Sequence, residues 1–91
     1  MRIAIVDDIA EERILLRSRL ECQLSRRGIH SDFTEFENGE DFLLASKERL
    51  FTVLFLDIYM NGANGIEIAR ELRKSDTSCL LIFTTTSTDH A

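Results

Sequence analysis

Short apolar runs that alternate with segments of helical periodicity constrain the fold of this chain more than any other feature. Residues 3–6, 53–56 and 79–83 are each an unbroken run of apolar, mostly β-forming side chains. Continuous rather than alternating hydrophobicity is typical of parallel strands that are covered on both faces. The runs therefore predict buried strands that belong to one parallel sheet.

The segments between these runs complete the predicted order of elements. Residues 10–27, 40–49 and 66–74 have helical periodicity. The first segment has one apolar stripe, which leaves most of its charged side chains for solvent. The stripe is formed by Ile9, Leu16, Leu20 and Leu24. Residues 30–36 alternate and predict an edge strand. The order β-α-β-α-β-α-β predicts a parallel sheet with right-handed crossovers and helices on both faces.

Finer features follow from the same patterns. Asp8 is placed to cap the first helix, and Gly28 is placed to end it. Phe42, Leu43 and Leu50 are expected to face inward from the second helical segment. Asn38 is expected to begin a turn.

Length and composition point to one small domain. The 91 residues are 44% hydrophobic and 30% charged, which is ordinary for a soluble globular protein. The net charge of −5 argues against nucleic acid as a direct partner. A local basic patch at Arg13, Arg17 and Arg19 stays open as an alternative to a solvated helix face. No apolar stretch approaches the roughly 20 residues that span a membrane, and no signal peptide is visible, so we expect a cytoplasmic protein.

Acidic residues follow two of the apolar runs at the point where each run ends. Asp7 and Asp8 follow the first run, and Asp57 follows residues 53–56. The carboxyl ends of parallel strands share one edge of the sheet, where open α/β folds bind ligands. Three carboxylates at that edge repel one another unless a cation neutralises them, and Mg²⁺ prefers oxygen ligands. The pattern predicts a Mg²⁺ site with one carboxylate available to react.

The chemistry open to such a carboxylate is attack on a phosphoryl group, which forms an aspartyl phosphate. The metal would stabilise the transferring group. Thr84, Thr85 or Thr86, after the next strand, could place a hydroxyl beside that phosphate. A single Asp after a strand is commonly a helix cap or a turn residue. Three acids at strand ends, together with a run of hydroxyls, favour the chemical interpretation.

Three motifs at the predicted strand ends carry a family resemblance when they are taken together. They are Ile5-Val6-Asp7-Asp8, Leu56-Asp57-Ile58-Tyr59-Met60 with Gly65 eight residues after Asp57, and Phe83-Thr84-Thr85-Thr86. The chain resembles the receiver domain of two-component response regulators over essentially its whole length, and within that family it is similar to receivers of LytTR-type regulators. The resemblance implies a flavodoxin-like (CheY-like) doubly wound fold of strand order 2-1-3-4-5. Gly65 would relax the turn into the third helix.

The resemblance also implies a role for each site residue. Asp57 would be the phosphoacceptor and a Mg²⁺ ligand, Asp8 would bind Mg²⁺ directly, and Asp7 would act through a water molecule. The backbone carbonyl of Tyr59 would be a further ligand, and Thr85 would be the switch hydroxyl. A sensor histidine kinase would supply the phosphoryl group, and the same site would support autodephosphorylation.

Two departures from the family pattern stand out. Asn61 occupies a position where the family usually has Pro. The family's fifth strand ends in a lysine that pairs with the phosphoryl group, and the sequence stops at Ala91, before that strand and the fifth helix. Lys47 and Lys74 are poor substitutes because they lie on or near other helices. We therefore expect residues 1–91 to be a receiver domain that is incomplete at its C-terminus, with sheet order 2-1-3-4.

Several alternatives follow from that expectation. The fourth strand would be an exposed sheet edge, which invites pairing with another chain. The sequence could be a fragment of a longer regulator, which we favour, an associating chain, or a short protein with reduced switching. An interaction module of receiver fold without productive phosphotransfer is the main functional alternative. A Mg²⁺-dependent phosphohydrolase is disfavoured because Tyr59 stands where such enzymes carry a second acid. No DNA-binding domain is apparent in these residues, so any transcriptional role would belong to an output domain outside them.

Overall fold

The computed structural model describes residues 1–60 and 64–85. Its elements are, in chain order, β1 (Arg2–Val6), α1 (Ala10–Arg26), β2 (Asp32–Phe36), α2 (Gly39–Glu48), β3 (Val53–Asp57), α3 (Gly65–Arg73) and β4 (Leu80–Thr84). The predicted alternation of strands and helices is confirmed. The largest difference is the start of β2, which begins at Asp32 rather than at residue 30. Asn61 and Thr86 lie outside the described residues.

The sheet has the predicted strand order. All its strand pairs within the described residues are parallel, and the order is β2-β1-β3-β4. Val6 at the end of β1 pairs with Phe36 and Leu56, and Asp57 at the end of β3 pairs with Thr84. The carboxyl ends of all four strands therefore lie along one edge of the sheet.

The larger core lies between one face of the sheet and the helices α2 and α3. Its buried residues are Ala4, Val6, Phe42, Phe51, Leu54, Leu56, Ile68, Ala69, Leu72 and Cys79. The rings of Phe36, Phe42 and Phe51 pack together with centroids 5.6 to 6.0 Å apart. Phe42 is fully buried, which contributes about 1.5–3 kcal/mol to folding.

The helix α1 covers the opposite face of β1 less completely. Ile3 and Ile5 are buried on that face, but no residue of α1 itself is buried. The leucines of the predicted stripe are half-buried, but Ile9 of that stripe is 37% exposed. Ile14 and Leu15 are 60% and 47% exposed. Neither α1 nor any other helix in the described part of the chain is long and apolar enough to cross a membrane.

Gly28 ends α1 as predicted. Its φ of 71° lies in the left-handed region that glycine adopts without strain. The N–H of Gly28 donates to the carbonyl of Ser25 at 3.0 Å, and the N–H of Ile29 donates to that of Leu24 at 2.9 Å. This pair of hydrogen bonds is a Schellman motif, which satisfies carbonyls that the end of a helix leaves unpaired.

The starts of α1 and α2 differ from the predictions. Ile9, not Asp8, is the N-cap residue of α1, and the apolar Ile9 side chain makes no capping hydrogen bond. The carboxylate that binds there is Asp7, which accepts a hydrogen bond from the N–H of Ile9 at 2.9 Å. Asn38 caps α2 rather than forming a separate turn, because its side chain accepts from the N–H of Asp41 at 2.8 Å.

Two predictions of buried apolar side chains are wrong. Leu50 is 68% exposed because α2 has already ended at Glu48. The run at residues 79–83 is not a buried strand: Leu80, Ile82 and Phe83 are 58%, 37% and 43% exposed. The physical reason is that β4 is the outer strand of the sheet in the described residues. Within the described residues, the expectation that the fourth strand lies at an exposed edge is thereby confirmed.

Candidate functional site

Asp7, Asp8 and Asp57 meet at the carboxyl edge of the sheet. Asp57 is the last residue of β3, and the other two follow directly after β1, its parallel neighbour. One carboxylate oxygen from each residue lies within 4.8 Å of the other two. The structure thus brings together the three acids that the sequence singled out.

The carboxylate of Asp57 is fully buried. Its Oδ1 accepts a hydrogen bond from the N–H of Tyr59 at 3.2 Å, whereas Oδ2 has no hydrogen-bond partner among the described residues. Burial, and then the charge of Asp7, raise the pKa of Asp57 to about 6, although the Tyr59 hydrogen bond opposes this shift. A buried carboxylate oxygen without a partner is destabilising unless a donor or a cation approaches it.

Asp7 is held by its backbone and by its side chain. Its N–H donates to the carbonyl of Phe36 at 3.1 Å, and its own carbonyl accepts from Arg13 Nη1 at 2.7 Å. Burial raises the pKa of Asp7, the hydrogen bond from Ile9 lowers it, and the charge of Asp8 raises it further. These contacts fix the position of the residue that begins the acidic pair.

The acid cluster fits a hard divalent cation such as Mg²⁺. All three side chains offer oxygen ligands, two of the three are buried, and the Oδ2 atom of Asp57 lacks a donor from the described residues. A cation between the carboxylates would relieve the repulsion that contributes to the raised pKa of Asp57. Tyr59, whose carbonyl is the further predicted ligand, lies two residues beyond Asp57 with its side chain directed largely to solvent.

Threonines at the end of β4 lie beside the cluster. Thr84 is paired with Asp57 in the sheet, and its carbonyl accepts the N–H of Ile58 at 3.1 Å. Thr84 and Thr85 line a cavity of about 130 Å³ together with Asp7. Thr85, the predicted switch residue, therefore opens onto the same cavity as Asp7.

Gly65 brings the start of α3 against the strand that carries Asp57. Its N–H donates to the carbonyl of Ile58 at 2.9 Å, and a Cβ at this position would overlap the backbone carbonyl oxygen of Asp57. Among the glycines that the structure describes, only Gly28 has a positive φ. The expectation that Gly65 relaxes a turn is therefore wrong: this position requires glycine for close approach.

The sequence patterns do not identify the ion pairs that join α1 to β2. Arg13 Nε and Arg17 Nη1 each lie 3.2 Å from a carboxylate oxygen of Glu35. The helical pattern leaves both arginines for solvent, yet only 15% of the Arg13 side chain is exposed. Their spacing of four residues places them on one helix face, but the sequence alone does not show which acid they meet.

Asp76 is a structural anchor that the sequence patterns missed. It is buried in the predicted polar connector before β4, where its Oδ1 accepts the N–H groups of Ser78 at 2.9 Å and Cys79 at 3.1 Å. The Ser78 hydrogen bond is the main cause of a lowered Asp76 pKa. An Asp two residues before Ser is an Asx-turn signature, so this anchor was open to prediction.

Comparison with known sequences gives a consistent result. The family described as the response regulator receiver domain matches residues 3–91. The sensory transduction protein LytT of Oceanobacillus iheyensis is 38% identical over 87 residues, which are 93% of this chain and 35% of LytT. The transcriptional regulatory protein ResD of Bacillus subtilis is 34% identical over 83 residues, 91% of this chain and 32% of ResD. The chain spans about a third of the length of these curated relatives.

Solved structures show the same fold. The response regulator TrrA of Thermotoga maritima, in complex with Mg²⁺-BeF, superposes with a TM-score of 0.81 and 31% identity, covering 96% of this chain and 70% of that chain. TrrA in complex with the histidine kinase ThkA gives a TM-score of 0.73 and 32% identity, covering 99% and 74%. The flavodoxin-like fold that the sequence predicted is confirmed.

Proposed function

Because this chain belongs to the response regulator receiver domain family, we propose that it signals by accepting a phosphoryl group on Asp57. The observation that carries the proposal is the buried Asp57 Oδ2, which has no hydrogen-bond partner among the described residues and lies beside two further carboxylates. With a pKa of about 6, Asp57 is ionised at neutral pH and is a stronger base than an ordinary aspartate. Ionisation at neutral pH and raised basicity both suit a carboxylate that acts as a nucleophile.

Different groups of the site would perform different parts of the transfer from a phosphohistidine donor. The Tyr59 N–H holds Oδ1 of Asp57, which leaves Oδ2 to attack the phosphorus. The bond from phosphorus to the donor nitrogen then breaks, and its electron pair leaves with the donor imidazole. Asp8, Asp57 and the Tyr59 carbonyl would hold Mg²⁺ directly, and Asp7 would hold it through a water molecule. The bound ion would supply positive charge that offsets the repulsion between nucleophile and phosphate.

Thr85 is proposed as the switch residue. Phosphorylation adds about two negative charges next to the cavity that Thr85 lines. Its hydroxyl would donate to a phosphoryl oxygen and draw the end of β4 toward Asp57, which shifts the population of conformers. Thr85→Ala should still accept phosphate, but the amide NMR shifts of β4 on phosphorylation should shrink. Phosphorylation-induced shifts of β4 that are as large in Thr85→Ala as in the wild type would rule out this role.

Acetyl phosphate and Mg²⁺ test the central proposal. The mass of the intact chain should increase by one phosphoryl group, and the increase should disappear with a chelator or in Asp57→Ala. Asp32→Ala, which changes an exposed aspartate on β2, should behave like the wild type. No addition, or an addition that survives Asp57→Ala, would favour the alternative of a receiver-fold interaction module without productive phosphotransfer.

A sensor histidine kinase is the phosphoryl donor that we propose. The solved complex of TrrA with a histidine kinase supports this choice. Ile14 and Leu15 form an exposed apolar surface on α1, the helix that follows Asp8, and we propose that the kinase contacts it. Ile14→Asp should slow transfer from a phosphorylated kinase and leave the acetyl phosphate reaction unchanged. Equal rates from the kinase with and without the substitution would exclude this surface.

A role in transcription is proposed from the named relatives. ResD is a transcriptional regulatory protein, and this chain matches about a third of its length. We propose that phosphorylation of Asp57 regulates a DNA-binding output domain outside these residues. The net charge of −5 supports a receiver that does not itself contact nucleic acid. Binding of this chain alone to duplex DNA at physiological salt would contradict the proposal that only the output domain contacts DNA.

The edge of β4 supports a second proposal, which is self-association. Its outer edge has no strand partner in the described residues, and Leu80, Ile82 and Phe83 are exposed on it. Unpaired strand edges are templates for pairing with another chain. We propose that two copies pair through β4, and sedimentation should show a concentration-dependent dimer. Ile82→Lys should give a monomer, and Ile14→Lys on α1 should not. A monomer at every concentration would contradict the proposal.

A further inference from the structure

We propose that Arg13 is a positioning residue for the acid cluster: by binding the Asp7 carbonyl it fixes the peptide unit that directs Asp8 toward the metal. The inference rests on the proposed function, because it concerns the same cluster.

The Arg13 guanidinium is bound at two points. Its Nη1 donates to the Asp7 carbonyl at 2.7 Å, and its Nε donates to Glu35 at 3.2 Å. The first distance is at the short end of the range for N–H···O hydrogen bonds, as expected for a charged donor. The side chains of Arg13 and Glu35 are 15% and 22% exposed, so water competes weakly for both contacts.

The bound carbonyl has a direct connection to the metal site. The carbonyl of Asp7 and the N–H of Asp8 belong to one planar peptide unit. Fixing the oxygen of that unit therefore restricts the direction in which the Asp8 side chain leaves the backbone. The other side of Asp7 is fixed as well, because its N–H donates to Phe36 at 3.1 Å. β2 thus holds Asp7 twice, through the Phe36 backbone and through Glu35 and Arg13.

Glu35 keeps the guanidinium in this position. A guanidinium next to carboxylates can bind them in place of a metal ion. Glu35 binds Arg13 through one oxygen and Arg17 through the other, each at 3.2 Å. Arg17 makes its contacts with Glu35, with Glu21 and with the Phe33 ring, rather than with the Asp7 carbonyl. A substitution of Arg17 is therefore a matched control for a substitution of Arg13, because each changes an ion pair with Glu35 but only Arg13 binds the Asp7 carbonyl.

The test measures Mg²⁺ affinity by NMR in the whole 91-residue chain. The amides of Ile9 and Tyr59 report directly, since they donate to the carboxylates of Asp7 and Asp57. Arg13→Lys keeps the charge but loses the planar fork. We expect it to raise the Mg²⁺ dissociation constant about tenfold, the lower end of the effect of removing supporting contacts around a metal site. Arg17→Lys should leave the constant within about twofold of the wild type.

Arg13→Gln separates positioning from simple charge. Removing a positive charge near a cation site should tighten Mg²⁺ binding if electrostatics alone operates, whereas loss of positioning should weaken it. Weaker binding in both Arg13 variants supports the proposal. Wild-type affinity in Arg13→Lys, or tighter binding in Arg13→Gln, would overturn it while leaving the phosphoacceptor function intact. If the wild type shows no Mg²⁺-dependent shifts of these amides, the proposed metal site and this inference both fail.

Discussion

The carboxylate of Asp7 lies beside that of Asp57, with an oxygen of each within 4.8 Å, and after burial its charge is the main cause of the raised Asp57 pKa. The pair forms because β1 and β3 are parallel neighbours that end at the same edge of the sheet. Without a cation, the folded protein therefore confines repelling charges that the unfolded chain separates.

Replacing Asp57 with Asn should stabilise the metal-free protein. The pKa of Asp57 is about 6 in the folded state against 3.8 for the free group. The folded protein therefore binds the proton of Asp57 more tightly than the unfolded chain does. The stability that this proton contributes is fully present below about pH 4 and is lost as the pH rises through 6. At about pH 8, Asp57→Asn should raise the free energy of unfolding by about 2–3 kcal/mol. Urea unfolding with chelator present measures this, and a gain that does not shrink toward about pH 4 would contradict ionisation of Asp57 as its cause.

Asp76 should show the opposite dependence on pH. Its pKa is lowered, first by the N–H of Ser78, so it stabilises the fold above the pKa of the free group and loses this effect as the pH falls through its own pKa. Asp76→Asn should reduce stability near neutral pH by about 1–2 kcal/mol because it weakens charge-assisted hydrogen bonds. The loss should decrease in acid. Glu37→Gln, at an exposed acid, is the control and should change stability little.

Mg²⁺ should stabilise the folded chain through the acid cluster. A ligand that binds only the folded state adds about 1.4 kcal/mol for each tenfold excess over its dissociation constant. The melting temperature should therefore rise with Mg²⁺ at constant ionic strength and return when a chelator is added. Asp8→Asn should abolish most of this rise. A rise of equal size in that variant would place the bound ion elsewhere.

Gly65→Ala should disturb both the fold and the site. A Cβ at Gly65 would overlap the carbonyl oxygen of Asp57, and relief of that overlap should cost about 1–3 kcal/mol and shift the acceptor residue. Gly28→Ala is the matched control, because Gly28 has a positive φ but no atom within 4 Å of an added Cβ. The control should lose about 1–2 kcal/mol and keep wild-type phosphorylation. Wild-type phosphorylation in Gly65→Ala would show that the close approach is dispensable.

The sequence predicts most of the fold because its strongest signals are local. Continuous apolar runs identify β1 and β3 as covered strands, and acids directly after them identify the edge where ligands bind. The predicted burial of Leu50 is wrong because Leu50 lies beyond the end of α2 at Glu48, so the helical pattern does not fix the direction of its side chain. The composition of β4 predicts burial, although its exposure depends on what pairs with its outer edge.

The candidate site is only partly predictable for a related reason. The three aspartates are marked by their place after strands, which the chain displays directly. The contact of Arg13 with Glu35 joins residues 22 positions apart, and nothing in the local pattern selects that acid from the others nearby. The function of Gly65 is also hidden, because close approach of α3 to Asp57 is a property of packing.

The most direct test of the central claim is to identify chemically which residue carries the phosphoryl group. After reaction with acetyl phosphate and Mg²⁺, borohydride reduction converts an aspartyl phosphate to homoserine, and peptide sequencing by mass spectrometry then identifies the residue. We predict homoserine at position 57 and at neither Asp7 nor Asp8. Homoserine at either of those two residues, or none in a chain that binds Mg²⁺, would contradict the assignment of Asp57 as the phosphoacceptor.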